Sequence, residues 1–149
     1  MRGGLVAAIT VCLAACGGSS SDLVVRDVRI GEPSGPNAAM YLTVENDTDG
    51  ADVLESASTE VAGSVEIHET IEGDDGTMGM RPLDAPLEVE AGATLVLEPG
   101  GLHMMLVDVE RLEVGDTVDV TLQWQNAGEI HVEAEVVEPQ DAVEHEDHG

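Results

Sequence analysis

The feature that most constrains the fold is a succession of short apolar stretches separated by turn residues. Several of the stretches alternate apolar and polar residues, and clusters of Gly, Pro, Asn and Asp lie between them. Short strands that recur about every 8–12 residues predict a sandwich or barrel. No stretch has a helical period, so we expect an all-β fold. The predicted strands are residues 24–30, 40–46, 52–57, 65–70, 78–81, 87–89, 94–97, 103–109, 117–124 and 129–136.

The amount of apolar sequence fits one domain, which we assign to residues 23–139. Hydrophobic residues make up 42% of the 149-residue chain, enough to bury a core. The chain has no Phe, one Trp and one Tyr. We therefore expect a largely aliphatic core, which suits strands. Residues 140–149 are polar and acidic, and we expect them to form a disordered tail.

The N-terminus has the features of a targeting segment. Arg2 precedes a short apolar run, 5–13, that is too short to span a bilayer. The sequence Leu13-Ala14-Ala15-Cys16 resembles the lipobox of bacterial lipoproteins. The resemblance implies that residues 1–15 are removed and that Cys16 carries the lipid, including palmitate. The alternative is an ordinary secretory signal peptide in which Cys16 has no role.

The lipobox predicts where the domain resides. Residues 16–22 are rich in Gly and Ser and would form a flexible tether. We expect the protein outside the cytoplasm, on the periplasmic or outer face of a membrane that it contacts only through the lipid.

The positions of the cysteines exclude several kinds of site. Cys12 would leave with the signal peptide and Cys16 would be lipidated, so the folded domain would have no thiol. Blue-copper centres and cysteine zinc sites both need a Cys sulfur. Thiol catalysis is excluded for the same reason.

The charge limits the partners. The chain has 31 Asp and Glu against five Arg and no Lys, a formal net charge of −26. Such a surface lacks the cationic contacts that nucleic acids require. It also repels further copies of the chain, which favours a monomer. Adaptation to a salty environment would account for the acidity, because salt screens the repulsion.

Methionine and histidine are concentrated in three neighbouring segments. Alternation puts His103 and Met105 on one face of a strand, and Met104 on the other. His68 lies in the preceding strand, and Met80 or Met78 in the hairpin that follows it. Two imidazoles and two thioethers would form a soft, neutral ligand set that favours Cu(I) over Zn²⁺ or Mg²⁺. The alternative is that the methionines fill the core and the histidines are ordinary surface residues.

The chain resembles the periplasmic copper chaperone family (PCuAC-type), which supplies the CuA centre of cytochrome c oxidase. The pattern of that family is His, about ten residues, Met, about twenty-one residues, then His-X-Met. Eleven residues separate His68 from Met80, and twenty-two separate Met80 from His103. The matching runs are AMYLTVEN at 39–46, VEIHE at 65–69, GTMGMRPL at 76–83, PGGLHMM at 99–105 and GDTV at 115–118.

The resemblance implies a cupredoxin-like Greek-key fold and a Cu(I) site formed by His68, Met80, His103 and Met105. Met78 is the alternate to Met80, because each interval is one residue longer than the family pattern. Met80 is preferred because it opens the Met-Arg-Pro run. The implied role is a metallochaperone, not an enzyme, with cytochrome c oxidase subunit II or general copper handling as the destination. The competing function is a metal-free, lipid-anchored structural or interaction β-sandwich.

Other candidate residues are weaker. His131 lies in an alternating strand and is expected to be exposed. His145 and His148 lie among acidic residues and would form at most a weak Cu(II) site in the tail. Asp74 and Asp75 are interpreted as a solvated turn rather than as catalytic carboxylates.

Overall fold

The computed structural model describes residues 22–143, which form ten strands and one short helix. The remaining residues, 1–21 and 144–149, include Cys16, His145 and His148, so the predictions on the lipid anchor and the tail histidines concern residues outside the described part. The elements are β1 (Leu23–Gly31), β2 (Ala38–Asn46), β3 (Asp52–Ser58), β4 (Ser64–Glu72), β5 (Met78–Pro82), β6 (Leu87–Val89), β7 (Thr94–Leu97), β8 (Leu102–Val107), β9 (Thr117–Trp124), β10 (Gly128–Val137) and α1 (Pro139–Val143).

The strands form one hydrogen-bonded sheet that curls around a core without closing. Their order is β5-β4-β8-β2-β1-β10-β9-β3-β6, and β7 pairs with β2 beyond the end of β8. All pairs are antiparallel except β1 with β10. Strands β3 and β4 lie close together at the opening, where a groove is lined by Val65 and Ile67 on one side and Leu54 and Ala57 on the other.

The core is aliphatic around a single indole, as the composition predicts. Trp124 is 1% exposed and lies among Leu, Val and Ile side chains from most strands. Met40 and Met104 are fully buried in this cluster. They face each other across the β2–β8 ladder.

The structure confirms the all-β prediction, and all ten predicted strands are present. Strand β8 ends at Val107 rather than at residue 109, because Asp108 has a left-handed backbone (φ 53°) that turns the chain. The amide of Asp108 then donates to the Asn37 side chain, and that of Val109 donates to the carbonyl of Pro36.

The helix α1 was not predicted, because five residues are too few to show a helical period. Pro139 suits its first turn, where the missing amide has no intrahelical partner. Ala142 is 2% exposed and lies 3.8 Å from the position of a Cβ on Gly31. The first residues of the predicted tail are therefore packed against β1 at this point.

A buried carboxylate ties the β9–β10 turn to the start of β3. Asp52 is 4% exposed. Its Oδ1 accepts hydrogen bonds from the amides of Val53 and Asn126, and its Oδ2 accepts one from Ala127, each at 2.8 Å. One side chain thus satisfies three backbone donors, two of them more than seventy residues away in the sequence.

Replacing this carboxylate should destabilise the domain. In Asp52→Ala the three amides lose their acceptor, and we expect the free energy of unfolding to fall by about 3 kcal/mol. Urea unfolding followed by the fluorescence of Trp124, the sole tryptophan, measures the change. Asp49→Ala, at an exposed position in the adjacent loop, is the control and should change the free energy of unfolding by less than about 0.5 kcal/mol. Equal losses in the two variants would contradict the role of Asp52.

Candidate metal centre

The register of three strands brings the predicted ligands to one face of the sheet. His68 of β4 lies directly opposite His103 of β8, and Glu66 lies opposite Met105. On the other side of β4, Thr70 lies opposite Met80 of β5. Directly paired residues share a face, and so do residues two apart on a strand. His68, His103, Met80 and Met105 therefore lie on the same face, with each methionine diagonal to His68.

The turn before β8 positions His103. Pro99 and Gly100 occupy its centre, and Gly100 has φ 81°, which favours glycine. The turn presents the carbonyl of Gly101 to the ring of His103, whose Nδ1 donates to it at 3.2 Å. Because a carbonyl only accepts, the proton is on Nδ1 and Nε2 carries the lone pair. That Nε2 is buried and has no hydrogen-bond partner.

Burial also favours the neutral form of His103. The residue is 3% exposed. Burial lowers the pKa of the His103 imidazole below its usual value; the hydrogen bond to Gly101 opposes this shift, and nearby His68 adds to it. The neutral form is the one that can donate a lone pair to a metal ion.

His68 has the complementary arrangement. Its Nε2 lies 2.8 Å from Oε2 of Glu66, two residues earlier on the same face of β4. A carboxylate oxygen accepts, so in the neutral imidazole Nε2 donates and the lone pair is on Nδ1. This Nδ1 is also buried without a partner. The two rings are 5.9 Å apart between centroids.

The methionines differ in their surroundings. Met104 is fully buried in the core cluster, whereas Met105 is 8% exposed and does not belong to that cluster. Met80 is 58% exposed and Met78 is 63% exposed, both on the edge strand β5. Packing in the core accounts for Met40 and Met104 but not for Met78, Met80 and Met105, the other three methionines of residues 22–143.

The donor set fits one soft metal ion. Imidazole nitrogen bonds such ions at about 2 Å, so rings with centroids 5.9 Å apart are close enough to bind the same ion. An ion there would give both partnerless nitrogens a partner. Within residues 22–143 no group of three or more His, Cys, Asp and Glu side chains is arranged to hold a metal. The thioethers of Met80 and Met105 are further potential donors beside the two imidazoles on this face.

The remaining candidates lie apart from this face or have other partners. His131 is exposed as expected, and contacts Glu129 at 2.7 Å and the hydroxyl of Thr121 at 3.1 Å. Asp75 accepts hydrogen bonds from the side chain and amide of Thr77, and these hold the pKa of its carboxyl below the usual value. His131 is thus an exposed residue of strand β10, and Asp75 is an exposed residue of a turn.

Sequence reasoning missed the groups that orient the two imidazoles. Glu66 precedes His68 by two residues in an alternating strand, a spacing that already puts both on one face. The sequence indicates the turn that contains Gly101, but it does not indicate that the carbonyl of Gly101 accepts a hydrogen bond from His103. Tyr41, whose ring centroid lies 6.4 Å from that of His103, is contributed by a strand sixty residues away.

The hydrogen bond from His68 to Glu66 predicts the tautomer of His68. In metal-free protein we expect the proton on Nε2, and Glu66→Ala should shift the equilibrium towards the Nδ1–H form, because the acceptor is lost. Imidazole ¹⁵N NMR shifts distinguish the tautomers. Glu69→Ala is the matched control, since Glu69 lies on the other face of β4 and contacts Arg81. An unchanged His68 spectrum in Glu66→Ala would contradict the assignment.

Among residues 22–143, no helix has both the length and the apolar character needed to cross a bilayer.

Residues 23–136 match the family described as "Putative lipoprotein LpqE-like". A stretch of 94 residues, 62% of the chain, is 34% identical to "Putative lipoprotein Lxx21020" of Leifsonia xyli subsp. xyli and covers 55% of that protein. The chain spans about half the length of the curated relatives it matches.

Solved structures share the fold. The apo PCuAC domain from PmoF1 superposes with a TM-score of 0.66 at 28% identity, over 79% of this chain and 98% of that one. The solution structure of CuI-DR1885 from Deinococcus radiodurans has a TM-score of 0.63 at 30% identity, over 84% and 85%. The predicted family resemblance is thus confirmed: the chain belongs to the LpqE-like lipoprotein family and has the cupredoxin-like fold of the PCuAC domains.

Proposed function

We propose that this protein is a Cu(I) carrier that binds one ion with His68, Met80, His103 and Met105. One observation carries the proposal: two neighbouring imidazoles each have a buried nitrogen without a partner, on a face that also holds two thioethers. A buried polar atom without a partner costs about 1–3 kcal/mol. Binding of a metal ion at both nitrogens would remove that cost.

The ligand chemistry favours Cu(I). Thioethers are soft donors, and neither Zn²⁺ nor the hard divalent cations are commonly bound by methionine. All four ligands are neutral, which suits an ion of single charge. Hydrogen bonds from the non-ligating nitrogens to Glu66 and Gly101 orient the rings as outer partners do at metal sites.

A relative supports the same cargo. The protein from Deinococcus radiodurans, 30% identical to this chain, has been solved in a Cu(I) form. It shares the fold over most of both chains. We extend Cu(I) binding from that protein to this chain because the ligand types of the proposed site fit the ion independently.

The exposure of the site suits transfer rather than catalysis. Met80 lies 58% exposed at an edge strand, so an incoming ligand can reach the ion from that side. Thiolates bind Cu(I) more strongly than thioethers do, so an acceptor with cysteine ligands would take the ion. The CuA centre of cytochrome c oxidase subunit II is the acceptor we propose, with general copper handling as the broader role.

The proposed location follows from the lipobox. Lipidation at Cys16 and a tether through residue 22 would hold the domain outside the cytoplasm at a membrane surface. A second, weaker Cu(II) site at His145 and His148 remains part of the proposal. Neither the lipid nor this tail site enters the Cu(I) mechanism.

A competition titration tests the main site. We expect the chain from Asp22 onward to take one equivalent of Cu(I) from a competing chelator. In His103→Ala/Met105→Ala the affinity should fall at least about 100-fold, because two of the four ligands are lost.

The matched control has the same kinds of residue changed outside the site. His131→Ala/Met104→Leu alters an exposed histidine and a core methionine and should bind Cu(I) as the parent does. Absence of binding by the parent would favour the metal-free structural β-sandwich. Equal loss of affinity in both double variants would also contradict the proposed ligands.

The choice between Met80 and Met78 has its own test. Met80 lies opposite Thr70, which is two residues from His68 on the same face, whereas Met78 lies two residue pairs further along the ladder, opposite Glu72. Met80→Leu should therefore weaken Cu(I) binding about tenfold or more, and Met78→Leu should change it less than threefold. The same chelator competition measures both, and the reverse order would assign the ligand to Met78.

A further inference from the structure

Tyr41 of β2 packs beside the candidate ligand His103. Met40 and Met104 face each other in the β2–β8 ladder, so the next residues along, Tyr41 and His103, come together on the site face. Their ring centroids are 6.4 Å apart with planes tilted by 55°. His68 flanks the same imidazole at 5.9 Å with a tilt of 58°. The imidazole of His103 therefore lies between two other rings.

Arg29 of β1 holds Tyr41 from the other side. The two residues are paired in the β1–β2 ladder, and the guanidinium carbon of Arg29 lies 5.5 Å from the centre of the Tyr41 ring. A guanidinium over an aromatic face is attracted to it and restricts its movement. Arg29 thus lies next to Tyr41 on the side away from His103.

The guanidinium of Arg29 donates hydrogen bonds to two backbone carbonyls, one in β1 and one in α1. Its Nε and Nη2 donate to the carbonyl of Ala142 in α1, at 3.1 and 3.0 Å. Its Nη1 donates to the carbonyl of Asp27 at 3.1 Å. Asp27 has φ 56° and lies at the irregularity between Arg26 and Arg29 in β1. Contacts thus run continuously from helix α1 and the irregular part of β1, through Arg29 and Tyr41, to His103.

The orientation of His103 needs such support. The one hydrogen bond of its ring, to Gly101, is long at 3.2 Å, and a single hydrogen bond does not by itself fix the tilt of the ring. Tilting would redirect the partnerless Nε2. Neighbouring rings restrict the tilt because an aromatic pair favours particular relative orientations.

We propose that Tyr41 and Arg29 are positioning residues, which hold the His103 ring in the orientation that binds Cu(I) and couple the site to helix α1. The proposal rests on the proposed function for the identity of the cargo. Neither residue binds the ion itself. Their effect is exerted through the direction of the His103 lone pair.

Conservative and disruptive substitutions separate this role from a general effect on folding. Tyr41→Phe keeps the ring and should bind Cu(I) within about twofold of the parent. Tyr41→Leu removes the ring and should weaken binding about tenfold, and Arg29→Lys, which loses the planar fork, about threefold. Arg26→Lys is the matched control: Arg26 lies on the same strand as Arg29 but contacts the side chains of Asp27 in β1 and Glu45 in β2, and its replacement should leave the affinity unchanged.

Two measurements on the chain from Asp22 onward complete the experiment. The first is Cu(I) affinity by chelator competition, with each variant checked for an unfolding transition. The second is the NMR spectrum of the His103 ring in metal-free protein, where Tyr41→Leu should shift the ring signals and Tyr41→Phe should restore them. Tyr41 is the sole tyrosine, so its own signals in the parent should also respond to Cu(I).

The outcomes are distinguishable. Parent-like affinity and an unchanged His103 spectrum in folded Tyr41→Leu would overturn the positioning role. Equal weakening in Tyr41→Phe and Tyr41→Leu would overturn it too, because the ring is retained in the first. If the parent itself binds no Cu(I), the proposed function fails, and the metal-free His103 spectra still decide whether Tyr41 orients the ring.

Discussion

The antiparallel register of β4 and β8 is the constraint on which the candidate site depends. It puts His68 opposite His103 and, one residue along, Ile67 opposite Met104. Ile67 packs against the core and Met104 is fully buried in it. A slip of either strand by one residue would turn that strand over and bring its imidazole into the aliphatic interior. The hydrophobic core thus fixes the register, and the register aligns the imidazoles.

In the metal-free domain, this arrangement leaves two buried nitrogens without hydrogen bonds, which is energetically unfavourable. The nitrogens Nδ1 of His68 and Nε2 of His103 are buried without partners, although folded proteins satisfy most such atoms. A ligand that bonds to both nitrogens would bind the folded state selectively and stabilise it.

Electrostatics divides the molecule into two parts. The chain has a formal net charge of −26, yet the proposed ligands are imidazoles and thioethers rather than carboxylates, and burial lowers the pKa of His103, which favours its neutral form. Glu66 is the carboxylate in direct contact with a proposed ligand, and it orients the imidazole of His68. The acidic exterior affects solubility and encounter with partners, while the site selects its ion through ligand softness.

The local pattern of apolar and polar residues was enough to predict the strands. Because side chains alternate along any strand, it also predicted that His103 and Met105 share one face and that Met104 lies on the other. The ligand set of His68, Met80, His103 and Met105 came instead from the resemblance to the copper chaperone family, and it stays a prediction. The helix α1, the burial of His103 and the row from Arg29 through Tyr41 were not predictable in this way. They arise from contacts between segments far apart in the chain, such as Arg29 with Ala142, and such contacts exist only once the strands have paired and packed.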